Sequence, residues 1–209
     1  MPGKAKEMEM DRREVTQLPS TPLEQSMWQS IESNTSVKER AKGAEEYLRK
    51  YPEGAFAPFC HEILAVDAWQ REKAKDFIEH GEEAVVVLVN SSALLSGLSA
   101  AYADLEPPNA EPAIQHGERA LQILKGEVTP EGNTVGLWTR KPDEMLVDAY
   151  YGIGTAQLFK AFNEQSSALM TSSLASLVKA TEANPYDERS RFRLGFAYQV
   201  KGDLDSAAI

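Results

Sequence analysis

An all-α fold built of consecutive short-helix hairpins is the class this sequence predicts, and three observations carry it. First, IEHGEEAVVVL from Ile78 returns 36 residues later, from Ile114, as IQHGERALQIL, with six of eleven residues identical and in register. Second, apolar residues recur at helical spacing through most of the chain, broken at short intervals by Pro, Gly, Asn and Ser. Third, small residues repeat at the centre of the apolar face: Gly81 and Ala84 in one copy, Gly117 and Ala120 in the next. A glycine in mid-helix costs about 1 kcal/mol against alanine, so its recurrence points to close approach by a neighbouring helix. A period in the mid-thirties with two helices per unit is the mark of a helical-repeat solenoid. The expectation is an α-solenoid of about nine to ten helices.

Residues 1 to about 21 are charged and lack apolar period, and read as a flexible lead. Thr21, Pro22 and Glu24 form a capping-box start for the first helix, whose buried stripe is Met27, Trp28 and Ile31. A second helix runs from Val37 to Lys50 on Ala41, Ala44, Tyr47 and Leu48, and Pro52 stops it. Helices are expected from about Ala55 to Gln70, Glu72 to Val89, Ala93 to Ala103 and Glu111 to Leu124. Lys125 to Pro142, rich in Gly, Pro and Thr, reads as an inserted loop anchored by Trp138. Helical pattern resumes from about Asp143 to Phe162, Ser166 to Ala183 and Glu188 to Val200. A turn at Lys201, Gly202 and Asp203 leads into a tenth helix that stops at Ile209, so the natural chain is expected to continue.

Composition narrows the functions. A net charge of −10 and no basic cluster interleaved with aromatics argue against a nucleic-acid ligand and favour a neutral or basic partner. The single cysteine, Cys60, excludes an internal disulfide and a multi-cysteine zinc site. With neither a spanning apolar run nor a signal peptide, a cytoplasmic protein is expected, unless an export signal has been removed. His80 and His116 occupy equivalent repeat positions, and packing explains them better than a metal does. Adjacent helical residues point about 100° apart, so Cys60 and His61 do not pair as nucleophile and base. Glu45–Glu46 and Glu82–Glu83 read as solvated faces, and no phosphate-cradling glycine loop is present. No catalytic constellation, cofactor motif or metal motif emerges, and no enzyme is expected.

RFRLGFAYQVKGDLDSAA, from Arg191 to Ala208, resembles the first helix, turn and second-helix entry of a tetratricopeptide repeat, through Leu194, Gly195, Ala197, Tyr198, Gly202, Asp203 and Ala207. SLASLVKATEANP, from Ser173 to Pro185, resembles the end of the preceding repeat through Leu177, Ala180 and Pro185. Weaker copies lie at Gly97 to Leu124, Pro58 to Val89 and Ala41 to Pro52. The resemblance implies a right-handed α-solenoid scaffold that binds a peptide or partner protein in a groove lined by the first helix of each hairpin. On this chain that implies Phe59, Glu62, Trp69, Tyr151, Thr155, Leu158, Phe192 and Phe196, with Trp69, Tyr151 and Phe192 as anchors; inward packing in the core is the competing reading for each. Arg189 and Arg193, one turn apart, resemble the basic pair of carboxylate-clamp members. The clamp is incomplete, because Tyr151, Gly152 and Thr155 stand where its lysine and asparagines would be. Two alternatives stay open: a small-molecule or enzymatic role at the inserted loop around Trp138, Arg140 and Lys141, and a purely structural module positioning a domain beyond Ile209.

Overall fold

The computed structural model describes residues 20–127 and 136–202. All regular structure among them is helical: α1 (Pro22–Glu32), α2 (Val37–Lys50), α3 (Ala57–Gln70), α4 (Ala74–Val85), α5 (Ser92–Ala103), α6 (Ala110–Leu124), α7 (Pro142–Glu164), α8 (Ser167–Ala183) and α9 (Glu188–Lys201). The expected N-terminal lead up to residue 19 and the expected tenth helix lie outside the described residues. No helix of the described residues is long and apolar enough to cross a membrane.

Local chemistry sets the helix starts. Thr21 Oγ1 accepts from the Glu24 N–H at 3.2 Å while the Glu24 carboxylate accepts from the Thr21 N–H at 2.9 Å, closing the capping box reciprocally. Ser36, Ser91, Ser166 and Asp187 cap α2, α5, α8 and α9 in the same way, each accepting a backbone N–H three residues on. Pro142, expected as the last loop residue, instead opens α7, where its missing N–H costs nothing. One boundary moves further. Helix α4 ends at Val85, four residues before the expected Val89. The run Val85–Val86–Val87 is β-branched and holds a helix poorly, and the chain turns there to bury Leu88 completely.

Helices pair in chain order: α1 with α2, α3 with α4, α5 with α6 and α7 with α8, while α7 also packs on α5 and α6. The repeated glycines sit at these contacts. A Cβ on Gly81 would lie 2.9 Å from Leu98 Cδ2, and one on Gly117 would lie 2.6 Å from both Ile153 Cγ1 and Ser99 Oγ. Ala84 and Ala120, the matching alanines, are fully buried. Serines tie first helices to second ones: Ser99 Oγ donates to the Ala113 carbonyl and Ser173 Oγ to the Gly154 carbonyl, both at 2.7 Å. These bonds satisfy hydroxyls that burial would otherwise leave unpaired.

Candidate functional site

The first helices α3, α5 and α7 share one face, because a single short segment touches all three. Residues 136–141, the end of the insertion, run into α7 and lie across this face. Along them burial alternates: Gly136, Trp138 and Arg140 are partly covered, while Leu137 and Thr139 are exposed. That two-residue period is the pattern of an extended chain lying on a surface.

Glu62 of α3 receives this strap. Its side chain is 1 % exposed, and its two carboxylate oxygens accept the backbone N–H groups of Leu137 at 2.6 Å and Trp138 at 2.9 Å. Burial raises the Glu62 pKa above the ordinary carboxylate value; the two N–H donors and the nearby Arg40 charge offset this only in part. Gly136 lies so close that a side chain there would run into the Glu62 carboxylate. The Trp138 ring meets Trp69 edge-on at 5.7 Å and Phe77 at 6.1 Å, and lies against Gly97 of α5.

Arg140 completes the strap's contacts. Its guanidinium lies 5.2 Å from the Trp69 ring centroid and 5.1 Å from that of Trp138, and Nη2 donates to Asp148 Oδ2 of α7 at 2.6 Å. Asp148 is 1 % exposed and accepts a second cation, Arg189 Nη2 of α9, at 2.7 Å on its other oxygen. Arg189 in turn covers the Tyr151 ring at 5.1 Å, and the Tyr151 hydroxyl donates to Asp104 Oδ1 at 2.5 Å. Burial, then the Asp104 charge, raises the Tyr151 pKa, so the phenol stays protonated as a donor. A chain of charge and aromatic contacts therefore runs from the strap through α7 to α9.

The sequence-predicted residues divide on this geometry. Phe192 is 73 % exposed and Phe196 is 44 % exposed, so these rings stand free on α9, while Arg189 is half-exposed and held by Asp148. Arg193 lies beside Tyr151 with its Nε buried and without a hydrogen-bond partner. Trp69 and Phe59 are half-covered, Trp69 by Phe77 and Trp138, Phe59 by Trp28 at 5.7 Å. Three expectations need correction. Tyr151, Thr155 and Leu158 are buried rather than presented on an open strip: Tyr151 and Leu158 join the cluster of Leu174, Leu177 and Leu194, because the long α7 is enclosed by α5, α6, α8 and α9. A fourth correction concerns Glu62, whose carboxylate is consumed by the chain's own backbone.

Other candidates resolve differently from one another. His116 Nε2 lies 2.8 Å from Glu82 Oε1, which also accepts from the Tyr102 hydroxyl at 2.7 Å, whereas the repeat-equivalent His80 meets His61, Nδ1 to Nδ1 at 3.2 Å. Equivalent positions have diverged, and Glu82, expected on a solvated face, is instead engaged by His116 and Tyr102. Cys60 is fully buried, and burial pushes its thiol up to about 12. Among the described residues no three His, Cys, Asp or Glu side chains cluster as a metal site would require. Asp148 was missed by sequence reasoning. Its one signal is that it is the sole charged residue of α7 between Glu144 and Lys160.

Compared with known proteins, the chain matches no family model and no curated relative. The tetratricopeptide resemblance therefore stands on the residues that carry it.

Proposed function

We infer that this chain is a tetratricopeptide-like interaction scaffold that binds an extended protein segment across its first-helix face. The observation that carries this reading is the strap itself. A buried carboxylate catching two successive backbone N–H groups, an aromatic seat and a buried counter-ion are what an extended peptide needs for affinity and register, and residues 136–141 use all of them at once. Beyond the strap the face continues at α9 with Phe192 and Phe196 in the open, one turn apart, beside the half-exposed Arg189. Exposed aromatics next to a cation are the residue types that concentrate binding energy. The net charge of −10 favours a neutral or basic partner and an association that slows as salt rises.

The packing of the Trp138 ring against Trp69, Phe77 and Gly97 favours the peptide reading over a small-molecule pocket beneath it. Selecting a displayed random peptide library on the folded chain, with a Phe192→Ala, Phe196→Ala chain as counter-selection, tests the reading. Enriched peptides should bind the parent and lose about 1 to 2 kcal/mol for each ring removed. Peptides that ignore both substitutions would refute the role of α9.

A further inference from the structure

We propose that the seat under the strap is a recognition site for a Gly-x-Trp-x-Arg segment supplied by a partner, and that residues 136–141 are its resident stand-in. This deepens the interaction reading and rests on it, since it names the chemistry of the segment bound. Three inward positions define the specificity. The first favours glycine, because a Cβ at Gly136 would push the Glu62 carboxylate away from the backbone N–H groups it holds. The second takes a tryptophan, whose ring fills the space between Trp69, Phe77 and Gly97. The third takes an arginine, which lies against the Trp69 ring and reaches Asp148. The two intervening residues, Leu137 and Thr139, face away and are exposed, so they are free to vary. Backbone binding through Glu62 is independent of side chains and fixes the register, so the alternate side chains supply selectivity.

The resident segment leaves one buried donor unmet, and its exchange for a partner segment is part of the proposal. Arg140 Nη1 is buried with no hydrogen-bond partner, although the side chain is only 10 % exposed and its other terminal nitrogen is bound to Asp148. A donor stranded in this way weakens the complex that strands it. The strap is bounded at residue 142 by the start of α7, so its arginine enters from a fixed direction. A segment free at both ends has no such constraint. Asp148 is held for either occupant by Arg189, so the seat keeps its counter-charge when the strap leaves.

The test uses the labelled peptide Gly-Leu-Trp-Thr-Arg-Lys and fluorescence anisotropy. A full-length chain carrying Trp138→Ala and Arg140→Ala, checked for helicity by circular dichroism, should bind the peptide at least tenfold more tightly than the wild-type chain, whose strap competes. Replacing the peptide's tryptophan by alanine, or adding Glu62→Gln to the chain, should each weaken binding tenfold or more. A folded double variant that fails to bind, or that binds the tryptophan-free peptide equally, overturns the proposal. Should that variant not fold, amide exchange on the wild-type chain decides. The Leu137 and Trp138 amides should exchange by local opening, well ahead of the α5 amides, and exchange only together with α5 makes the strap a permanent core element. Library-selected peptides that still depend on Phe192 and Phe196 would leave the scaffold reading standing while this inference falls.

Discussion

Replacing Asp148 by asparagine should be among the most destabilising single changes in this chain, although it alters only one atom of the side chain. The carboxylate is 2 % exposed and answers two guanidinium groups at 2.6 and 2.7 Å. Arg140 has a side chain only 10 % exposed, so losing its counter-ion strands a buried cation, which costs about 3 to 5 kcal/mol. Arg189 is 44 % exposed and is rehydrated when the pair breaks, so its share is at most about 1 kcal/mol. The total of about 3 to 6 kcal/mol corresponds, at roughly 2 to 4 °C per kcal/mol for a chain of this size, to a fall in Tm of about 6 °C at the least. Urea unfolding of Asp148→Asn, Arg140→Met and the double variant closes a double-mutant cycle. The coupling between the two positions should exceed about 2 kcal/mol, because Arg140→Met relieves the stranded charge that Asp148→Asn creates. A coupling below about 0.5 kcal/mol would mean that the strap is not held by this ion pair.

Three further expectations follow from burial and titration. Ala84→Leu and Ala120→Leu should each destabilise by about 1 to 3 kcal/mol through overpacking between helices, read by thermal unfolding; wild-type melting of both would contradict the repeat packing. Cys60, with its thiol pushed up to about 12 by burial, should resist alkylation at neutral pH in the folded chain and react on unfolding, as mass spectrometry of labelled samples reads directly. Burial opposes the Glu82 charge, yet the bonds from His116 and Tyr102 outweigh it and hold the carboxyl below its ordinary value of 4.5. The stability it contributes is therefore present above that value and lost as pH falls through the lowered folded pKa. The gap between wild type and Glu82→Gln in urea midpoint should shrink between pH 7 and pH 3.5, and a constant gap would refute the assignment.

Much of the fold is legible in the sequence because its information is local. The copies at Ile78 and Ile114, the caps at Thr21 and Ser36 and the stop at Pro52 each act within one or two helical turns, and α2 runs from Val37 to Lys50 as the pattern alone predicts. The site is legible only in part. Trp138 stands out as the anchor of an aperiodic stretch, and the structure seats it on Trp69 and Phe77. Its backbone acceptor Glu62 lies 75 and 76 residues away from the groups it binds, and no spacing rule links positions that far apart. The same distance problem hides the role of Asp148 toward Arg189. Repeat logic also overextends at α7: helical position alone assigns Tyr151, Thr155 and Leu158 to an open face, whereas 23 residues of helix enclosed by four neighbours bury all three.

Amide hydrogen exchange of the full chain, with and without a library-selected peptide at saturation, tests most directly whether a partner segment binds on the first-helix face. Binding there should add protection in α9 around Phe192 and Phe196 and change exchange at residues 136–141, with α4, α6 and α8 unaltered. Protection confined to α4, α6 or α8 would place the partner on the second-helix face and contradict the proposed function.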